Sequence, residues 1–286
     1  MTTTSPLPPH AGRDSTFALL DAPPATHAIA TRVLDRGQCG PDDAEAPAYR
    51  LFLAVPRAAP PPGGWPILYM LDGNAAFDFL TPAMLEGVPG LIVAGIGYDT
   101  EKQFARSQRI RDYSPPAAPG APLRPDPHHP ERLAGGAEVF VARLTGPIRA
   151  AAEAGLAVDG TRRALWGHSF GGLCSLYAAC TRPGAFARHA VISPSVWWDT
   201  PLVEALVAQA RFDRHSTRFY MAMGDSEKRT GSAGPPPDGP SPVTMAVFAA
   251  VAAKPGVAAA TEVYPGAVHI AALPASIPAA LALAAA

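Results

Sequence analysis

The sequence predicts an α/β fold in which about eight strands form a mostly parallel central sheet with helices on both faces. Short apolar runs rich in β-forming residues alternate with helix-sized segments along most of the chain. Several of these runs are almost continuously apolar, which is typical of parallel strands that are covered on both faces. With 286 residues, 48% of them hydrophobic and 16% charged, the chain can bury one large core.

The elements follow one another in a regular order. Residues 1–26 are expected to form a loose N-terminal arm, and residues 27–286 a single domain. Proline-rich loop insertions are expected near 115–134 and 231–242. The predicted strands are 27–34, 49–55, 66–71, 91–97, 163–167, 190–193, 218–223 and 260–264. The predicted helices are 75–85, 138–154, 171–180 and 273–286, the last of them docking on the sheet.

Composition excludes several classes of function. The formal net charge of -1 gives no reason to expect nucleic acid or an anionic membrane as a partner. Cys39, Cys174 and Cys180 lack the paired spacing of zinc or redox sites, so they are expected to be buried free thiols. Neither a metal nor a cofactor is expected to be required for catalysis. The first 25 residues lack the pattern of a signal peptide, and the apolar C-terminal segment is too short to span a bilayer. We therefore expect a cytoplasmic protein, monomeric or weakly dimeric.

The sharpest motif is Gly167-His168-Ser169-Phe170-Gly171-Gly172, which lies between a predicted strand and a predicted helix. A serine on such a strand-to-helix turn has strained backbone angles and projects its hydroxyl above the sheet, so small residues must flank it. The turn also places the hydroxyl at the N-terminus of a helix, where developing negative charge is stabilised. These features predict that Ser169 is the nucleophile of an α/β hydrolase. His168 is expected to pack beside the sheet.

A serine hydroxyl needs an imidazole that accepts its proton, and this fold orders the residues as serine, acid and histidine. Three histidines follow Ser169, and of these only His269 lies in a loop after a late strand, so it is the predicted base. The acid is expected just after strand 218–223, where Glu227 is preferred to Asp225. A Ser-His dyad without an acid is the alternative.

The oxyanion of the tetrahedral intermediate needs two backbone N–H donors. One is expected from Phe170, the residue after the nucleophile. The other is expected from Asn74, in the loop after the third strand, where Gly73 permits a tight turn. Asp72 is expected to be a structural hydrogen-bond acceptor.

Several motifs together resemble the Putative esterase family of α/β hydrolases, and within it the esterases that open trilactone siderophores such as enterobactin and salmochelin. The resemblance spans residues 49–269. The motifs that carry it, besides the serine turn, are Tyr69-Met70-Leu71-Asp72-Gly73-Asn74, Gly95-Ile96-Gly97-Tyr98, Arg109-Ile110-Arg111-Asp112-Tyr113-Ser114-Pro115, Gly135-Gly136-Ala137 and Ile192-Ser193-Pro194-Ser195-Val196-Trp197-Trp198. By this resemblance, Arg109 helps to hold the substrate near the nucleophile.

A basic segment also lies at the carboxyl edge of the predicted sheet. Residues 101–111 carry four basic side chains and one glutamate. Ferric catecholates are anionic and aromatic, so basic and aromatic side chains near this edge suit them through charge attraction and stacking. A solvated charged loop beside core tryptophans is the alternative. The predicted substrate-binding residues are Arg109, Arg111, Trp197, Trp198 and Tyr98.

These observations predict a cofactor-free serine esterase that hydrolyses ester or lactone bonds. The expected substrate is a small-molecule ester, with a ferric catecholate trilactone siderophore as the specific hypothesis. The alternatives are a general carboxylesterase, a thioesterase, and a non-catalytic binding protein of the same fold.

Overall fold

A computed structural model describes residues 13–34, 48–212, 216–228, 235 and 238–286. Its main sheet has eight strands in the order β1-β2-β4-β3-β7-β8-β9-β10, and a two-stranded hairpin, β5-β6, lies apart from it. Strand β2 runs antiparallel to both of its neighbours, and the other pairs of the main sheet are parallel. The strands are β1 His27–Leu34, β2 Tyr49–Pro56, β3 Trp65–Leu71, β4 Ile92–Tyr98, β5 Arg124–Pro125, β6 Leu133–Ala134, β7 Val158–His168, β8 Arg188–Ile192, β9 Thr217–Gly224 and β10 Val257–Tyr264.

Helices cover both faces of the main sheet and divide the core in two. One apolar cluster joins the sheet to α4–α9, and the other joins it to α1, α2, α3 and α10. The helices are α1 Ala18–Asp21, α2 Gly73–Phe79, α3 Pro82–Glu86, α4 Arg106–Tyr113, α5 Ala137–Thr145, α6 Pro147–Glu153, α7 Phe170–Thr181, α8 Thr200–Gln209, α9 Pro242–Ala252 and α10 Ala272–Ala285. This is the predicted α/β-hydrolase fold, and each of the eight predicted strands overlaps a strand of the main sheet.

The position of strand β3 between the two apolar clusters explains why its sequence is continuously apolar. Tyr69 and Leu71 belong to the first cluster, whereas Leu68 and Met70 belong to the second. Successive side chains of a strand point to opposite faces, so a strand covered on both sides needs apolar residues at every position. The parallel pairing keeps the carboxyl ends of β3, β4, β7, β8 and β9 at one edge of the sheet.

Two predicted helices are each divided in two. The predicted helix 75–85 is α2 followed by α3, since Leu80 turns to extended angles and Thr81 caps a new helix that begins at Pro82. The predicted helix 138–154 is α5 followed by α6, with the break at Gly146-Pro147. Proline cannot donate a helical hydrogen bond and is tolerated in the first turn, so each break coincides with a proline.

The predicted loose arm is packed in its described part, residues 13–26, and residues 1–12 lie outside the described ranges. Leu19 is buried, and the ring of Phe17 stacks on that of Phe52 at 5.5 Å. Ser15 donates its backbone N–H to the Glu101 carbonyl at 2.8 Å, and its hydroxyl to the Asn74 carbonyl. Apolar side chains and hydrogen bonds therefore hold this segment to the sheet. The proline-rich sequence around it did not indicate this packing.

The predicted insertion at 115–134 contains the β5-β6 hairpin. Asp126, at its centre, is 1% exposed, and its carboxylate accepts backbone N–H groups of His128 and His129. Half of the second predicted insertion, 231–242, lies outside the described residues. No helix within the described ranges has the length and apolar character needed to cross a membrane.

Candidate active site

Ser169 lies on a sharp turn between β7 and α7. Its backbone angles, φ 62° and ψ -119°, fall outside the regions that non-glycine residues ordinarily occupy. Such strain persists where the surroundings impose it, and two backbone bonds do so here. The N–H of Ser169 donates to the Ile192 carbonyl at 2.9 Å, and the Ser195 N–H donates to the Ser169 carbonyl at 3.1 Å. The turn has the geometry of a nucleophile elbow.

Glycine is required at position 167 because the strand and the helix approach closely. A Cβ atom on Gly167 would lie 2.1 Å from the carbonyl oxygen of Gly171. Gly171 faces β3, and a Cβ atom there would lie 3.3 Å from Oδ2 of Asp72 and 3.4 Å from Leu71. These close approaches place the N-terminus of α7 directly beside the carboxyl end of β3.

His269 begins a single 3₁₀ turn after β10, and the structure pairs it with Glu227. Nδ1 of His269 is 2.8 Å from Oε2 of Glu227. The other carboxylate oxygen of Glu227 accepts the Ser193 hydroxyl and the Gly224 N–H. Burial alone would raise the pKa of Glu227, but the hydrogen bonds from His269, Ser193 and Gly224 outweigh it and lower the pKa below its usual value. An ionised carboxylate here fixes the imidazole with Nε2 left to accept a proton.

Asp225 has a different position from Glu227. Its carboxylate accepts the Gly266 N–H at 2.7 Å and the Ser226 hydroxyl at 2.9 Å. It therefore holds the segment that leads to His269. Of the two predicted acids, the structure places Glu227 beside the histidine.

The hydroxyl of Ser169 forms a hydrogen bond with Ser195, which was not among the predicted site residues. Its Oγ is 3.2 Å from Oγ of Ser195. The His269 ring lies beside the elbow, with its centroid 4.6 Å from that of the His168 ring. Within the described ranges no hydrogen bond joins Ser169 to His269, so proton transfer between them stays a prediction. Hydrogen bonds of this kind commonly tighten only when substrate is bound.

The two predicted oxyanion donors lie in the first turns of two helices. The first intrahelical bonds are Leu173 N–H to the Ser169 carbonyl and Ala76 N–H to the Asp72 carbonyl. The N–H groups of Phe170 and Asn74 precede these bonds and so lack an intrahelical acceptor. The Asn74 amide side chain is bonded to backbone groups of residues 98 and 100, which ties α2 to the end of β4. Stabilisation of an oxyanion by Phe170 and Asn74 stays a prediction.

Arg109 lies beneath the elbow in a buried ion pair. Its Nε and Nη2 donate to the two carboxylate oxygens of Asp72, both at 2.8 Å. Arg109 is 8% exposed and Asp72 3%. The guanidinium also lies 5.6 Å from the centre of the Phe170 ring. Arg109 thus joins α4 to the end of β3, and a direct contact between Arg109 and substrate stays a prediction.

We expect Arg109→Met to destabilise the protein strongly. The substitution leaves the Asp72 carboxylate buried without its partner, and breaking a buried pair in this way costs about 3–5 kcal/mol. Urea unfolding monitored by circular dichroism measures the change. Arg106 is exposed on the same helix, and Arg106→Met is the control, with an expected change within about 0.5 kcal/mol. Equal unfolding midpoints for the two variants would contradict a structural role of the pair.

Tyr98 does not line the site, which corrects its prediction as a substrate-binding residue. It is 3% exposed, and its ring packs between those of Tyr49 and Tyr113. Its hydroxyl donates to Asp112, as does that of Tyr49. Burial raises the pKa of Asp112 to about 6 in spite of these hydrogen bonds. The end of β4 therefore directs Tyr98 into the core.

The other predicted substrate-binding residues separate into buried and open ones. Arg111 lies beside the same buried Asp112, with its Nη1 3.8 Å from Oδ1 and only 11% of its side chain exposed. Trp198 is 2% exposed and donates its indole N–H to Asp126, which corrects its prediction as a substrate contact. Trp197 is 42% exposed and packs edge-on against Phe170, with ring centres 6.1 Å apart. The tryptophan open to solvent beside the elbow is therefore Trp197.

Sequence reasoning missed the roles of Ser193, Ser195 and His168 at this edge. Both serines lie in the Ile192–Trp198 motif, which helps to carry the family resemblance. The motif marked this segment as characteristic of the family, but it did not indicate what either serine does. His168 is bonded to the His269 main chain, with Nε2 2.8 Å from the carbonyl oxygen. Across the described ranges, no group of three or more His, Cys, Asp or Glu side chains is arranged to hold a metal ion.

Comparison with known proteins gives the family. A family model described as Putative esterase matches residues 48–282. The chain is 32% identical over 194 residues to the ferri-bacillibactin esterase BesA of Bacillus subtilis (strain 168), covering 63% of this chain and 66% of that protein. It is 43% identical over 131 residues to the apo-salmochelin esterase of Escherichia coli O6:H1, covering 44% of this chain and 40% of that protein. The alignments thus span at most two thirds of either relative's length.

Solved structures agree with these sequence relatives. The enterobactin and salmochelin hydrolase IroE has a TM-score of 0.72 at 25% identity, over 94% of this chain and 99% of that one. A complex of the enterobactin hydrolase IroE with DFP gives the same TM-score at 26% identity and the same coverage. Since the family model extends from β2 into α10 and includes Ser169, Glu227 and His269, the chain belongs to the Putative esterase family.

Proposed function

We propose that this protein is a serine esterase in which Ser169 is the nucleophile, His269 the base and Glu227 the acid. The observation that carries the proposal is the His269–Glu227 pair, 2.8 Å apart, beside a serine with strained backbone angles. Strain and a paired carboxylate are features that stability alone does not favour, and they occur together where the geometry serves a reaction.

The proposed reaction proceeds in two steps. The Ser169 oxygen attacks the ester carbonyl carbon while Nε2 of His269 takes the hydroxyl proton, and Glu227 stabilises the imidazolium. The N–H groups of Phe170 and Asn74 donate to the oxyanion. Collapse of this intermediate breaks the ester C–O bond, and His269 returns the proton to the leaving alcohol. Water then attacks the acyl-enzyme by the same route and releases the carboxylic acid with free Ser169.

The proposed substrate is a ferric catecholate trilactone siderophore. The relatives are esterases of ferri-bacillibactin and of apo-salmochelin, and IroE is an enterobactin and salmochelin hydrolase. In this chain, Trp197 presents an exposed aromatic surface beside Phe170, and the His128 ring packs against it at 5.0 Å. An aromatic surface of this kind suits the flat rings of a catecholate. The iron would belong to the substrate.

Incubation with ferric enterobactin, followed by mass spectrometry, tests this substrate. The expected product is the ring-opened trimer, heavier than the substrate by one water, at a kcat/KM well above that for p-nitrophenyl acetate. Hydrolysis of the nitrophenyl ester with intact siderophore would indicate a general carboxylesterase, and cleavage of an acyl-thioester alone would indicate a thioesterase. A folded protein that cleaves none of them and resists a fluorophosphonate would be a binding protein. The predicted monomeric or weakly dimeric state and cytoplasmic location stay predictions.

We expect Trp197→Ala to weaken binding of a catecholate substrate. Loss of a ring contact worth about 0.5–1.5 kcal/mol should raise KM by about 2- to 10-fold with little change in kcat. Trp197→Phe keeps an aromatic face and should stay close to wild type. Steady-state kinetics on enterobactin measure both variants. An alanine variant with unchanged KM would show that the substrate binds elsewhere.

A further inference from the structure

We propose that His168 is a positioning residue that holds the main chain of the catalytic base. This inference rests on the proposed function, in which His269 is that base. His168 ends β7 and precedes the nucleophile, and its Nε2 lies 2.8 Å from the carbonyl oxygen of His269. The two imidazole rings also lie against each other, with centroids 4.6 Å apart and planes inclined by 41°. One side chain thus joins the nucleophile turn to the base.

The environment of His168 fixes its protonation state. A carbonyl oxygen only accepts hydrogen bonds, so Nε2 of His168 must carry the proton and donate it. Its Nδ1 is buried, and no residue that the structure describes forms a hydrogen bond with it. A second proton on Nδ1 would be a buried donor with no acceptor, which costs free energy. Burial, together with the nearby His269, lowers the pKa of His168 well below its usual value. His168 is therefore a neutral donor that adds no charge next to the imidazolium formed during the reaction.

The side chains on either side of the base are exposed and do not anchor it. His269 lies between Val268 and Ile270, which are 45% and 49% exposed. The side-chain bond to Glu227 sets the rotation of the imidazole, but it does not fix where the main chain lies. His168 is 3% exposed and belongs to a central strand, so it is a rigid point of attachment. Its hydrogen bond fixes the distance of His269 from the elbow.

Substitutions of His168 that keep, move or remove the N–H donor to the His269 carbonyl test this role. The side-chain amide N–H in the His168→Gln variant reaches about as far as Nε2 of histidine, whereas in the His168→Asn variant it stops near the position of Nδ1. We expect His168→Leu and His168→Asn to lower kcat by roughly 10- to 100-fold with KM within about twofold, since a small misplacement of a catalytic group costs this much. His168→Gln should restore kcat to within about threefold of wild type. The rate of labelling by a fluorophosphonate should follow the same order.

His189 provides the matched control. It is 1% exposed in the adjacent strand β8, where its ring packs on Phe219 and its Nδ1 bonds to Ser175. His189→Leu should change the melting temperature and leave kcat close to wild type. If His168→Leu is insoluble, comparison of the glutamine and asparagine variants still decides the question.

Two outcomes would overturn the inference and can be told apart. Equal kcat for the glutamine and asparagine variants, in a wild-type protein that is labelled and active, would refute the positioning role alone. A wild-type protein that is neither labelled nor active would refute the proposed function, and the inference with it.

Discussion

Replacement of Ser169 by alanine is expected to reduce ester hydrolysis by roughly 10⁴- to 10⁶-fold. The variant lacks the oxygen that forms the acyl-enzyme, and His269 has no hydroxyl proton to accept. A residual rate above that of water should remain, because the N-termini of α2 and α7 still present N–H donors to an ester carbonyl. Initial rates on p-nitrophenyl acetate and on enterobactin measure the loss.

The same variant should gain no mass on incubation with a fluorophosphonate, whereas the wild type gains one adduct. Alanine tolerates positive φ angles no better than serine, so the elbow strain is unchanged and the fold is expected to persist. Ser175→Ala is the matched control, because Ser175 is buried on α7, the helix that follows Ser169, and forms hydrogen bonds with Leu165 and His189 outside the site. If Ser169→Ala kept the activity of this control, the nucleophile would be another residue.

The strands and the elbow could be predicted because their signals are local. A strand covered on both faces must be apolar at successive positions, as β3 is, and this pattern is visible in any short window. The glycines that flank Ser169 reflect a close approach of strand and helix between residues that are near one another in the chain. Chain order predicted that the base and the acid come after late strands, which pointed to His269 and left Glu227 and Asp225 as candidate acids. Their catalytic roles stay predictions.

The features that could not be predicted from the sequence depend on contacts between segments that are distant in the chain. Tyr98 and Trp198 stand where aromatic substrate contacts were expected, yet each is buried by a segment far away in the chain. Trp198 donates to Asp126, a residue 72 positions earlier in a proline-rich tract that has little regular pattern. The helix α4 was missed for a similar reason, because its stability comes from Arg109 and Tyr113 contacts with the end of β3. Burial of this kind is a tertiary property, and residue type does not reveal it.

Replacement of Glu227 by glutamine is expected to lower kcat by roughly 10³- to 10⁴-fold while the protein stays folded. Glutamine has the same size, but it has one acceptor oxygen where the carboxylate has two. In the native site one oxygen accepts His269 and the other accepts both Ser193 and Gly224. The amide must therefore either turn its NH₂ toward the Gly224 N–H or present it to Nδ1 of His269. The second arrangement selects the wrong tautomer of the imidazole, and both remove the negative charge that stabilises the imidazolium.

Asp225→Asn distinguishes this role from that of the neighbouring acid. Asp225 accepts the Gly266 N–H through one oxygen, and asparagine keeps an acceptor oxygen in that position. The Asp225→Asn variant should lose at most about fivefold in activity, since a single hydrogen bond contributes about 1 kcal/mol. Steady-state kinetics on one ester at one pH compare the two variants directly. A glutamine variant no slower than Asp225→Asn would mean that the enzyme works as a Ser-His dyad, with Glu227 serving only to tie the loop after β9 to Ser193 at the end of β8.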